Sequence, residues 1–116
     1  MSDRPTTAYK VLTAEQMRAL EADVFEGAPV DLADGYIHLS TADQLTETVD
    51  KHFAGQTDLW VAAIDLTAFG ETLKWEVSRG GALFPHIYGA MPLDTVLAYG
   101  PLERSDDGAV KLPVTG

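Results

Sequence analysis

A chain of 116 residues, 46% hydrophobic and 22% charged, can bury one core but not two, and is too apolar for wholesale disorder. Its 18 acidic and 8 basic residues leave a formal charge of −10, which repels a phosphate backbone and excludes general nucleic-acid binding. The absence of cysteine excludes thiol nucleophiles and thiolate metal sites, and no apolar run approaches the roughly 20 residues that span a bilayer.

The opening residues Met1-Ser2-Asp3-Arg4-Pro5 have no apolar signal-peptide core, so the expectation is a cytoplasmic protein folded as a single domain over 1–116. Tyr9-Lys10-Val11-Leu12 reads as a short first strand. Thr13 with Gln16 three residues on is a capping-box pair, and Met17, Leu20 and Val24 supply a helical apolar face behind it. Residues 25–34, with Gly27 and Pro29, read as a loop able to cover a site near His38.

The segment Gly35-Tyr36-Ile37-His38-Leu39-Ser40-Thr41 comes next. As a strand over 36–40 it points Ile37 and Leu39 to one face, a core face, and Tyr36, His38 and Ser40 to the other. A phenol, an imidazole and a hydroxyl on one side of a strand make a candidate ligand surface. Thr41 with Gln44 repeats the capping pattern, and Leu45, Val49 and Phe53 form the stripe of a second helix, with His52 at its edge. Ser40 and Thr41 therefore lie at a helix N-terminus, where backbone N–H groups and the dipole favour an anionic or polar ligand.

Beyond Gly55 the pattern turns to strands. Residues 59–66 form a long apolar run without Gly or Pro, as in a central buried strand. Residues 67–71 are a turn. Leu73-Lys74-Trp75-Glu76-Val77 alternates, with Leu73, Trp75 and Val77 on one face and Lys74 and Glu76 on the other. Arg79-Gly80-Gly81 marks a loop, Phe84 to Gly89 a short extended piece, and Thr95 to Tyr99 another strand; Ser105-Asp106-Asp107-Gly108 reads as a hairpin turn. Two helices early and strands late give an α+β fold with a mixed or antiparallel sheet.

Three segments hold most of the residues able to do chemistry: Tyr36, His38, Ser40 and Thr41; then Glu76; then His86 and Tyr88, whose two-residue spacing puts them on one face of an extended piece. Each also fits a plainer role. His38 fits a half-buried sheet histidine, Thr41 a helix cap, and Glu76 a solvated charge. If the segments converge, His38, His86 and Glu76 become candidate catalytic groups, and Tyr36, Ser40, Thr41 and Tyr88 candidate ligand contacts. The same convergence would make His38, Glu76 and His86 a two-histidine, one-carboxylate metal site. No phosphate-binding glycine loop, dinucleotide fingerprint or nucleophile elbow is present.

Gly35-Tyr-Ile-His-Leu-Ser-Thr41, Trp75-Glu76, Leu83-Phe-Pro-His-Ile-Tyr-Gly89 and Pro92-Leu93 together resemble the domain of unknown function 952 family, over residues 9–102, leaving 1–8 and 103–116 as flanks. The resemblance implies a small bacterial cytoplasmic protein without an established activity. It also implies a split β-sheet like that of ADP-ribosyltransferases, whose cleft holds NAD. In one branch of those enzymes a strand histidine followed by Gly-Ser or Gly-Thr contacts the NAD ribose; His38-Leu39-Ser40 is similar, with Leu39 in place of the glycine. By that likeness His38 and Ser40 hold the ribose, Tyr88 stacks on the base and His86 donates a hydrogen bond or shuttles a proton. The late glutamate of the active enzymes has only Glu103 to correspond to it after Glu76. Three functions are compatible with these residues: a small-molecule or nucleotide cleft with NAD as candidate ligand, a catalytically silent binding or regulatory module, and a metal-dependent enzyme using His38, Glu76 and His86.

Overall fold

The computed structural model describes residues 5–113, apart from the side chain at position 79. Among the described residues six strands and three α-helices follow one another as β1 (Thr7–Thr13), α1 (Ala14–Glu21), α2 (Pro29–Asp34), β2 (Ile37–His38), α3 (Ala42–His52), β3 (Leu59–Asp65), β4 (Leu73–Val77), β5 (Leu83–Ile87) and β6 (Val96–Pro101). They build two three-stranded antiparallel sheets, β1-β3-β6 and β2-β5-β4. The fold is α+β, and its sheets are antiparallel throughout rather than mixed. Among the described residues no helix is long and apolar enough to cross a membrane.

Strand alternation sorts the core into two layers. Tyr9 and Val11 of β1 join Leu59, Val61 and Ala63 of β3 beneath Leu45 and Val49, the buried stripe of α3. Ala8 and Leu12, with Ala62 and Ile64, face the other way and meet Met17 and Leu20 of α1 and Ile37, Leu39 and Ile87 of the second sheet. The first sheet is thus buried on both faces, which is why β3 has no polar residue before Asp65. α1 carries a complete capping box, with Gln16 N–H donating to Thr13 Oγ1 at 3.1 Å and Thr13 N–H donating to Gln16 Oε1 at 3.0 Å. It stops at Glu21, before Val24, which is 65% exposed and lies outside the helical face that the periodicity predicts for it.

The loop expected over 25–34 contains a third helix. Pro29 occupies its first turn, where a missing N–H costs nothing, Asp31 Oδ2 accepts from Ala28 N–H at 2.8 Å, and Gly35 closes it in the left-handed conformation at φ 88°. Six residues are too few for an apolar period to register, so only these end signals are present in the sequence.

The two sheets touch at one point of the ladder. Tyr9 and Ser40 exchange backbone hydrogen bonds of 2.7 and 2.9 Å. Continuing that register would pair Val11 with His38, but β1 and β2 splay apart instead, and a cleft opens between them. The strand expected over 36–40 is accordingly cut to Ile37–His38.

Ile87, fully buried where the sheets meet, reports on this packing. Ile87→Ala is expected to lower unfolding free energy by about 2–5 kcal/mol in urea denaturation, with little change in the slope of the transition.

Candidate functional site

The splay leaves His38 without a strand partner on the β1 side, and two side chains take the strand's place. His38 N–H donates to Asp31 Oδ1 at 3.1 Å, and His38 C=O accepts from Lys10 Nζ at 3.0 Å. Lys10 and Asp31 are themselves paired at 2.8 Å. Lys10 shares the β1 face of Ala8 and Leu12, which are fully buried, so its side chain is carried inside with them and the residue is only 6% exposed. Asp31 accepts four hydrogen bonds, from Lys10 Nζ and Ala28 N–H on Oδ2 and from His38 N–H and Nδ1 on Oδ1. That fills the acceptor sites of a carboxylate.

Burial pushes the Asp31 carboxyl upward, but the His38 ring bond, the Lys10 charge and hydrogen bond, and Ala28 N–H together outweigh it and bring the carboxyl down to about 2. Burial also pulls the Lys10 ammonium below its ordinary value, against the opposing attraction of Asp31. His38 is held at both ends of its ring, with Nδ1 2.7 Å from Asp31 Oδ1 and Nε2 3.0 Å from Asp34 Oδ2. Carboxylates only accept, so a neutral ring satisfies one of these contacts and an imidazolium both.

His86 lies opposite His38 in the β2–β5 ladder, and the ring centroids are 5.2 Å apart, edge to face. Its Nδ1 is 2.8 Å from Glu76 Oε1, and Tyr88 Oη donates to the same carboxylate at 2.8 and 3.0 Å. The bonds from His86 and Tyr88 hold Glu76 below the usual carboxylate range, and donating to Glu76 pushes the Tyr88 phenol up to about 12. Tyr36 stacks on His86 at 4.2 Å and lies 4.7 Å from His38 and 5.0 Å from Tyr88. Tyr36, His38, His86 and Tyr88 form one contiguous ring cluster, and Glu76 is bonded to its His86 and Tyr88 members.

A cleft of about 780 Å³ runs from this cluster along the splayed edge of β1. His38, Ser40 and His86 line it, together with Lys10, Asp34 and Phe53. Tyr36, Glu76, Tyr88 and Thr41 are not among its walls. Ser40 is buried and shares a 2.8 Å hydrogen bond with Thr48 Oγ1. Thr41 caps α3, and its N–H donates to Gln44 Oε1 at 3.0 Å, so that N–H is engaged within its own helix end. The metal arrangement of His38, Glu76 and His86 is not formed. Among the described residues no three His, Asp or Glu side chains are grouped to hold a metal ion. Glu76 is engaged with His86 and Tyr88, whereas His38 is engaged with Asp31 and Asp34.

Sequence reasoning missed Lys10, Asp31 and Asp34. For Lys10 a signal existed, a lysine alternating with Ala8 and Leu12 on an otherwise apolar strand. For Asp31 and Asp34 the only hint was the Pro29 to Gly35 pattern of a short helix.

A family model described as protein of unknown function (DUF952) matches residues 11–99, a span that contains both histidine strands. The chain belongs to the DUF952 family. Among solved structures, the crystal structure of protein CC0527 from Caulobacter crescentus is similar, with 44% identity, 92% of this chain and 95% of that chain covered, and a TM-score of 0.82. The solution NMR structure of CC0527 is also 44% identical, covers 91% of each chain and gives a TM-score of 0.75. No curated protein matches this chain. Family membership carries no activity with it, so function must be argued from the site.

Two outcomes test the Lys10–Asp31 pair. Removing either partner, as Lys10→Met or Asp31→Asn, is expected to cost about 3–5 kcal/mol in chemical denaturation, and the double variant less than the sum. Because folding lowers the Asp31 carboxyl from 3.8 to about 2, its stabilisation is present above about pH 4 and lost as pH falls toward 2. Wild-type stability should drop by on the order of 2 kcal/mol over that window, and Asp31→Asn should lack this component.

Proposed function

We propose that this protein binds a small polar molecule of nucleotide type in the cleft beside β1, with the two histidines at its floor. One observation carries the reading: His38 and His86 reach the same cleft from adjacent strands, and each is held by carboxylates that fix its ring. Two oriented imidazoles beside an apolar-walled cavity suit a ligand that needs hydrogen bonds at one end and ring contacts at the other. About 780 Å³ is within the range of roughly 300–1,000 Å³ that small-molecule sites occupy.

The finer form of the proposal is an ADP-ribosylation-type cleft with NAD as ligand. Its support is the splay of two sheets around a His-x-Ser strand, with Ser40 on the cleft wall and the Tyr36 and Tyr88 rings beside the histidines. Glu103 does not line the cleft, and its backbone carbonyl accepts from Lys111 N–H. A binding module without transfer chemistry is the form this reading takes if no carboxylate reaches the ribose.

A thermal-shift panel of NAD, ADP-ribose, nucleotides and nicotinamide tests it. A ligand at tenfold excess over its Kd is expected to raise Tm by roughly 5 °C, and His38→Ala to reduce that rise. No response to any member at millimolar concentration would remove the nucleotide reading.

A further inference from the structure

The two histidines do not offer the cleft the same thing. Both nitrogens of His38 are engaged by carboxylates, Nδ1 by Asp31 and Nε2 by Asp34. His86 differs. Its Nδ1 is 2.8 Å from Glu76, a carboxylate that accepts only, so Nδ1 carries the proton in the neutral ring and Nε2 carries the lone pair. No hydrogen bond to Nε2 is made among the described residues, although the side chain is only 3% exposed. The ring lines the cleft while Glu76, bound at Nδ1, does not, so the nitrogen left for the cleft is Nε2. A nitrogen this buried and unpartnered, on the wall of a cavity, is a group held ready for an incoming donor.

The rest of the cluster fixes the ring. Tyr36 stacks on one face at 4.2 Å, and the Tyr88 hydroxyl shares its one proton between the two Glu76 oxygens, so the carboxylate cannot swing away from Nδ1 without also losing Tyr88. We infer that His86 is the proton acceptor of this cleft, presenting Nε2 to a ligand that carries an O–H or N–H group, with Glu76 and Tyr88 as its positioning residues. The inference rests on the proposed ligand cleft and assigns the roles within it. The proton passes from the ligand oxygen or nitrogen to Nε2, and the bonding pair stays on that ligand atom. The imidazolium keeps its Nδ1–H on Glu76, whose negative charge compensates the new positive one. His38, locked between Asp31 and Asp34, shapes the floor and does not exchange the proton.

Long-range proton–nitrogen NMR on histidine-labelled protein above pH 8 reads this directly. The expected result is a protonated Nδ1 and a lone-pair Nε2 at His86, with the tautomer released toward Nε2–H in Glu76→Ala, a change on an exposed edge strand. On adding nicotinamide or ADP-ribose as probe, the His86 Nε2 resonance should move, and His86→Ala should weaken binding at least tenfold. An Nε2–H tautomer in the wild type, or the same tautomer in Glu76→Ala, overturns the assignment. Binding that leaves the His86 Nε2 resonance unmoved overturns it too, while leaving the ligand cleft standing. No binding of either probe, with the tautomer as expected, overturns the ligand reading and the acceptor role together.

Discussion

The architecture around the cleft depends on a buried ion pair that does the work of a missing strand. Where β1 and β2 part after the Tyr9–Ser40 bridge, the N–H and C=O of His38 would face an apolar gap, each at the cost of an unmade hydrogen bond. Asp31 takes the first and Lys10 the second. Neither charge would be tolerable alone at that depth; together, and with Ala28 N–H and the His38 ring filling the remaining sites of Asp31, they are satisfied. The splayed edge, the short α2 that delivers Asp31, and the orientation of the His38 ring all meet in this one arrangement.

The second histidine is held by a looser device nearer the surface. Glu76 sits on an edge strand, partly exposed, and derives its grip on His86 from direct contact and from Tyr88 rather than from burial. The two carboxylate–histidine pairs therefore differ in kind. The Asp31 pair is part of the structural frame, so disturbing it disturbs the fold. The Glu76 pair is made at the edge of the second sheet, by a carboxylate that is partly exposed.

The legible part of the fold was whatever repeats with a local period. The capping boxes of α1 and α3, the alternation of β4 and the unbroken apolar run of β3 were visible because each is set by neighbours two to four residues apart. α2 was hidden because six residues hold less than two turns. In the site, the rings of Tyr36, His38, His86 and Tyr88 could be assigned to faces, because strand alternation decides which side a residue takes. The partners of those rings could not, since Asp31 is seven residues from His38 and Lys10 is twenty-eight.

By itself the sequence determined the α+β class, the aliphatic and polar faces of the two histidine strands, and the family, through the residues of those strands. Only the tertiary structure decided that β1 and β2 separate, that a lysine and an aspartate are buried to fill the gap, and that His38 is engaged at both nitrogens while His86 keeps one. The reason is physical. Side-chain direction is set by the local backbone period, but the partner of a buried polar group is set by which distant segments the core brings into contact, and that depends on packing the whole chain at once.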